Sequence, residues 1–240
     1  MRRFGLIGYP LSHTFSPGYF ADKFAENGIE NCEYKAYSLD SMDKYVELVK
    51  SDFTGLNVTI PYKEKVMPYL DVLSEEAIEI GAVNTIHFVN GKSYGYNSDV
   101  YGFSQSLVNW IGEDLPAKAL ILGSGGASKA VAYVCLKLNI DASIVSRKKG
   151  YLNYKDIDKK ILNTHHLIVN TTPLGMSPQI DAFPDLQYAL MNEAHYCYDL
   201  VYNPEITRFM QKARDHGAKA KNGYEMLILQ AEKSWDIWNS

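Results

Sequence analysis

The 240-residue chain reads as an α/β protein, with an N-terminal mixed-sheet α/β domain followed by a Rossmann-like, doubly wound parallel sheet. Three observations predict this. Short β-rich runs alternate with helical periodicity along the whole chain. The Asn90-Gly91 pair between two apolar runs marks an antiparallel hairpin, which makes the first sheet mixed. Around residue 118, a strand, a glycine turn and a helix open a second, parallel series.

The elements follow in order. A strand is expected at 3–7 and a helix at 17–28, with Ser16 as its N-cap and Pro17 at the first helical position. A strand at 33–38, a helix at 41–50 and a strand at 56–60 come next, and a helix is expected to begin at Pro61. After a helix ending near Gly81, strands at 83–89 and 92–96 flank the Asn-Gly turn. A helix at 100–111 and a linker at 112–117 lead to a buried strand at 118–122, the glycine turn and a helix to about 138. Strands at 142–146, 167–170 and 196–201 complete a βαβ series with right-handed crossovers, and a helix at 224–238 closes the chain.

Composition narrows the function. Apolar residues are 46% and charged residues 22%, which places the chain among globular proteins and away from disordered ones. A net charge of −4 lacks the basic excess of a nucleic-acid binder. Cys32, Cys135 and Cys197 are too few and too scattered for a disulfide framework or a cysteine zinc site, and they suit a reducing compartment. The apolar run of MRRFGLIGYP breaks too early for a signal peptide, and no stretch approaches 18 apolar residues, so a cytoplasmic location without membrane contact is expected. No metal motif appears; His165-His166 reads as a loop pair.

The candidate chemistry falls at strand ends. Gly123-Ser124-Gly125-Gly126-Ala127-Ser128 follows an apolar strand and opens a helix. Gly123 permits the tight turn, Gly125 lets backbone approach a pyrophosphate, and the helix N-terminus offers free N–H groups. The next strand ends in Ser146-Arg147-Lys148-Lys149 instead of the carboxylate that would hold an NAD ribose. These cations suit the 2′-phosphate of NADP(H), or form a solvated basic turn. Thr171 and Thr172 follow one strand, and Tyr202 follows the strand ending at Val201, where open α/β sheets bind ligands; turn chemistry alone also explains Thr-Thr-Pro.

Other polar positions do not look like core. Lys63, in the first turn expected after Pro61, is either a solvated cation or an acid/base group whose pKa the helix field would lower, with Glu64 offsetting the charge. Asp99 reads most simply as an N-cap. Asn84 lies within a strand pattern and needs a partner, while Asn97 and Ser98 extend the polar end of its hairpin neighbour. Gln230 shares a helix side with Leu227, Ala231 and Ser234. The loop Ser12-His13-Thr14-Phe15-Ser16 offers several hydroxyls.

Eight ordered blocks make the chain resemble the shikimate dehydrogenase family almost throughout: YPLSHTFSP (9–17), GLNVTIPYKE (55–64), GAVNTI (81–86), GYNSDVYGF (95–103), LGSGGAS (122–128), VNTTPLGM (169–176), YDLVYNP (198–204) and NGYEMLILQA (222–231). The resemblance implies a substrate-binding domain at 1–100, an NADP-binding Rossmann domain at 101–222, a cleft between them, and a last helix, 223–240, packing back on the first domain. It implies NADPH-dependent reduction of 3-dehydroshikimate to shikimate, in aromatic amino-acid biosynthesis. It also implies Lys63 as the catalytic lysine with Asp99 as its charged partner. The family's substrate positions map to Thr14, Ser16, Asn57, Thr59, Asn84, Asp99, Tyr202 and Gln230. Its cofactor positions map to 123–128, Ser146, Arg147, Lys148, Thr171, Thr172, Val201 and Gly223. No metal or nucleic acid is implied, and either a monomer or a homodimer fits.

This sequence departs from the family pattern in three places. Thr14 stands where serine is usual, a second arginine is replaced by Tyr151, and the segment 150–166 looks shortened. Thr14 and the altered basic loop leave open a quinate/shikimate dehydrogenase with relaxed or NAD cofactor use. A non-catalytic ligand-sensing homologue is the alternative of another class.

Overall fold

A mixed six-stranded sheet organises the first part of the chain. The structure, a computed structural model, describes residues 1–11 and 14–240, so Ser12 and His13 of the hydroxyl-rich loop lie outside the described residues. Two compact units are present, 1–98 with 231–240, and 99–230.

The first unit runs β1 (Arg2–Gly8), α1 (Phe15–Glu26), β2 (Cys32–Ser38), α2 (Met42–Leu48), β3 (Gly55–Val58), β4 (Val72–Leu73), α3 (Glu75–Ile80), β5 (Thr85–Val89) and β6 (Lys92–Tyr96). The strand order is β2-β1-β3-β5-β6-β4. β1 pairs in parallel with β2 and β3, whereas β5 is antiparallel to both β3 and β6. Asn90 and Gly91 have φ of 51° and 74°, the left-handed pair that matches strand twist in a two-residue hairpin. β3 is buried at every residue, because Ile7, Val58 and Val83 pack among one apolar cluster and Phe4, Phe20 and Trp238 form another. The Trp238 indole N–H donates to the Ile86 carbonyl at 2.9 Å, and only a glycine at position 55 leaves room for its ring.

Three local expectations are corrected here. α1 starts at Phe15, with Thr14 as N-cap residue, so Ser16 lies inside the helix and caps nothing. Pro17 marked the right turn but not the right residue, because every N–H of the first turn lacks an intrahelical partner and a proline fits at several of its positions. No α-helix begins at Pro61: residues 60–66 form turns, followed by a 3-10 turn at Met67–Tyr69. Val66 N–H bonds the Tyr62 carbonyl in one α-type turn, but Pro68 cannot donate the bond that would extend it. The short strand β4 was not foreseen.

The second unit runs α4 (Asp99–Ile111), β7 (Lys118–Leu122), α5 (Gly126–Lys137), β8 (Asp141–Val145), α6 (Lys159–Leu162), β9 (Leu167–Asn170), β10 (Tyr196–Asp199), α7 (Arg208–Asp215), β11 (Lys219–Asn222) and α8 (Tyr224–Trp238), whose last turns belong to the first unit. Its sheet is parallel throughout, in the order β11-β10-β9-β7-β8. Leu120 and Ile168 point into one apolar cluster and Ile121 and Val169 into another, as strands covered on both faces require. α7 and β11 were not anticipated. The strand Lys-Ala-Lys-Asn has no apolar run, and pairing with β10 makes it a strand. Between β8 and β9 the described residues hold only a 3-10 turn and the single turn α6. β8 is therefore an edge strand, prolonged by a bridge from Val145 to Leu152. Among the described residues no helix is long and apolar enough to cross a membrane.

Candidate active site

In the first unit, strand register collects the polar residues at one end of the sheet. β5 is antiparallel to β3, so its amino end, with Asn84 before it, lies beside the carboxyl end of β3, with Thr59 after it; Asn57 pairs with Thr85. Val58 N–H donates to the Asn84 carbonyl at 2.8 Å, Thr59 N–H to Ile7 at 2.9 Å, and Val83 N–H to the Lys63 carbonyl at 2.8 Å. Lys63 is thus half-buried in a turn held beside Asn84, and the field of a helix N-terminus, expected at this lysine, is not what acts on it.

The amides here are buried and bonded to protein. Asn57 is 5% exposed and Asn84 2%. The Tyr34 phenol donates to Asn57 Oδ1 at 2.8 Å, and Asn57 Nδ2 donates to Ser234 Oγ at 2.8 Å. Asn84 Oδ1 accepts from Ser98 N–H at 2.6 Å, while its Nδ2 donates to Ser98 Oγ at 3.0 Å. Ser16, freed from capping, is buried and hydrogen-bonds Tyr34, opposing the burial that pushes the phenol pKa up. Thr14 immediately precedes α1. Tyr34 and Thr85 escaped the sequence reading because nothing local separates them from ordinary strand residues.

In the second unit all five strands are parallel, so their carboxyl ends share one edge, and the order reverses direction between β9 and β7. That is the switch point where open α/β sheets bind ligands. Gly123 has φ of 115°, and a Cβ there would lie 2.7 Å from Thr171 Oγ1. Gly125 is the N-cap of α5 with no side-chain cap, and a Cβ there would meet nothing within 4 Å among the described residues, so Gly126, Ala127 and Ser128 begin a helix whose first N–H groups no capping side chain takes up. The Ser128 hydroxyl is buried without a hydrogen-bond partner among the described residues. Ser124 and Ser146 share a hydrogen bond at 3.0 Å, and Lys148 N–H donates to Ser146 Oγ at 3.2 Å, which leaves Arg147 and both lysines exposed. This cradle fits a dinucleotide with an extra phosphate at its adenosine end.

The neighbouring loops are braced from below. Thr171 Oγ1 donates to the Leu122 carbonyl at 2.7 Å, and Thr172 Oγ1 to Asn170 Oδ1 at 2.6 Å, so both hydroxyls serve their turn. Asn170 Nδ2 in turn donates to Asp199 Oδ1 at 2.9 Å, which also accepts Val201 N–H at 3.0 Å. Gly223 N–H donates to the Val201 carbonyl at 3.3 Å, which places these two side by side. Asp99 is the first helical residue of α4, not its cap; it is buried, within the positive end of the helix dipole. Tyr202 is half-buried just past β10, and Gln230, on α8, donates to the Leu227 carbonyl at 2.9 Å. Asn170 and Asp199 were missed as site supports; a polar residue ending a buried apolar strand was the available signal.

A glycine-turn dinucleotide sheet, in one chain with an α/β unit whose sheet ends in buried amides and hydroxyls, defines a nucleotide-dependent dehydrogenase of the two-domain α/β class. Residues 6–86 match the profile of the shikimate dehydrogenase substrate-binding domain. The shikimate dehydrogenase (NADP(+)) of Clostridium beijerinckii is 40% identical over 99% of this chain and 92% of its own length. A shikimate dehydrogenase solved with NADP+ superposes with a TM-score of 0.86 at 35% identity, over 99% of this chain and 89% of the other. The Thermus thermophilus enzyme, solved with NADP(H) and shikimate, gives 0.85 at 31%, over 99% and 93%. The chain belongs to the shikimate dehydrogenase family.

Proposed function

We propose that the protein interconverts 3-dehydroshikimate and shikimate with NADP(H), as a cytoplasmic enzyme of aromatic amino-acid biosynthesis, acting as a monomer or homodimer. The observation that carries this is the whole-length similarity to NADP-linked shikimate dehydrogenases, and the glycine turn, the basic loop and the amide–hydroxyl cluster support it. When bound, NADP(H) exchanges a hydride with the substrate carbon.

The chain's residues supply the rest. In the reducing direction the Lys63 ammonium gives a proton to the carbonyl oxygen; in the oxidising direction its amine removes the hydroxyl proton. Asp99 is the charged partner, and the ammonium polarises the reacting oxygen before the proton moves. Thr14 and Ser16 take the substrate carboxylate. Asn84, Asp99 and Gln230 grip the ring hydroxyls of a small polyol acid, and Asn57, Thr59 and Tyr202 complete the substrate positions. Residues 123–128 hold the pyrophosphate, Ser146, Arg147 and Lys148 the adenosine phosphate, and Thr171, Thr172, Val201 and Gly223 the nicotinamide end.

Purified protein given shikimate and NADP should produce NADPH absorbance, and absence of turnover in both directions overturns the assignment. Lys63→Ala should lower kcat by about 100-fold or more with little change in KM. An unchanged kcat excludes Lys63 as the proton carrier.

A further inference from the structure

We propose that Ser234 is a positioning residue for substrate recognition, a hydroxyl hub that fixes the amides of Asn57 and Asn84 in the orientation they offer to the ring hydroxyls. The proposal deepens the shikimate reading and rests on it.

Ser234 lies on α8 and is fully buried. Its Oγ is 2.8 Å from Asn57 Nδ2, 2.8 Å from Thr85 Oγ1 and 3.0 Å from Ser98 Oγ. Asn57 Nδ2 only donates, so Ser234 Oγ accepts from it, while toward Thr85 and Ser98 either hydroxyl of each pair can be the donor. Thr85 and Ser98 then meet Asn84: Thr85 Oγ1 is 3.1 Å from its Oδ1, and Ser98 is bonded to both ends of the amide.

Neither amide can turn over at low cost. A reversed Asn84 would set its NH2 against the Ser98 N–H. A reversed Asn57 would set its oxygen against the Asn84 carbonyl, which its Nδ2 now faces at 3.3 Å. Packing gives no reason for a hydroxyl here, since Ala231 and Trp238 on the same helix are buried and apolar. A buried hydroxyl costs desolvation unless it is bonded, and this one is bonded to the Asn57 amide itself and to the Thr85 and Ser98 hydroxyls that meet the Asn84 amide.

The test is steady-state kinetics of the full chain and of Ser234→Ala and Ser234→Cys, the latter keeping volume while weakening the hydrogen bonds should the alanine variant not fold. KM for shikimate should rise about tenfold, the factor one lost hydrogen bond represents, with kcat within about threefold and KM for NADP unchanged. Discrimination against 4-deoxyshikimate should fall by a similar factor. A second readout needs no substrate: in 15N-labelled free protein the side-chain amide signals of Asn57 and Asn84 should shift and exchange faster in the variants, while that of Asn170 stays in place. Unmoved Asn57 and Asn84 signals overturn the hub. Moved signals with an unchanged shikimate KM overturn its positioning role. If the parent protein fails to turn over shikimate, it is the functional reading that falls, and the amide signals alone then judge the hub.

Discussion

Asp199 ends β10 with a carboxyl group that no water reaches. Burial pushes its pKa up to about 6, and the hydrogen bonds from Thr207, Val201 N–H and Asn170 offset only part of that cost. Its titratable neighbours Tyr188 and Cys197 are neutral through this range, the Cys197 thiol being pushed up to about 12. From about pH 4 to 6 the native state holds a proton that the unfolded chain has released. Asp199 therefore contributes stability fully below about pH 4, and the contribution is lost as pH rises through 6, by about 3 kcal/mol at two pKa units. In an Asp199→Asn variant the amide oxygen would still accept from Val201 N–H and from Asn170. Urea unfolding at pH 4, 5, 6 and 8 should show the downward trend flattened in Asp199→Asn; equal pH slopes would place the ionisation elsewhere. At this scale the sequence was legible for residues whose role is conformational. Gly123, Asn90 and Gly91 adopt the backbone their types allow. It was illegible where a role depends on a partner distant along the chain. Ser16 and Asp99 looked like caps because only their immediate neighbours were visible, and Asp199 showed itself only as a polar residue ending an apolar strand, without the loops it braces.

Elements were legible where period and punctuation agreed. The hairpin, the β7–turn–α5 unit and the closing helix fell where expected. The segment after Pro61 failed because one proline looked like a helix start while Pro68 ended the possibility a turn later. β8 shows what an edge position does to an element. It ends the sheet, and its carboxyl turn carries the exposed cations Arg147, Lys148 and Lys149. Ser146 pins that turn through Ser124 and Lys148 N–H, so the backbone direction does not depend on the cations themselves. Their charge is then available for ligand. Arg147→Ala should weaken NADPH binding by about 10- to 100-fold, as loss of a charge-assisted phosphate contact implies, and leave NADH nearly unaffected. Fluorescence titration with both cofactors reads the ratio, and an unchanged ratio assigns the 2′-phosphate to other residues.

At the scale of the whole molecule the two units differ in how much of their own core they carry. The second unit is continuous in sequence, and its buried clusters, around Leu120, Ile168 and Phe209 and around Phe103, Ile121, Val131 and Met226, come entirely from residues 99–230. At about 130 residues it is large enough to bury a sufficient core unaided. The first unit is not self-sufficient within 1–98. Phe4, Phe20 and Phe24 pack on Ala231, Trp235 and Trp238, Arg2 donates to Asn239 at 2.8 Å, and Lys23 pairs with Glu232 at 2.6 Å. The hydroxyl cluster at Asn57 also needs Ser234. Uncovering Trp238 alone exposes about 200 Å² of apolar surface, about 5 kcal/mol, which rivals the 5–15 kcal/mol that holds a whole domain together. A fragment of residues 99–230 should therefore melt cooperatively by circular dichroism and retain NADPH binding, whereas a fragment of residues 1–98 should not melt cooperatively until a peptide spanning 231–240 is supplied. A cooperative 1–98 fragment would show that the C-terminal segment merely decorates a finished core, and an unfolded 99–230 fragment would show that the contiguous unit does not hold its own stability.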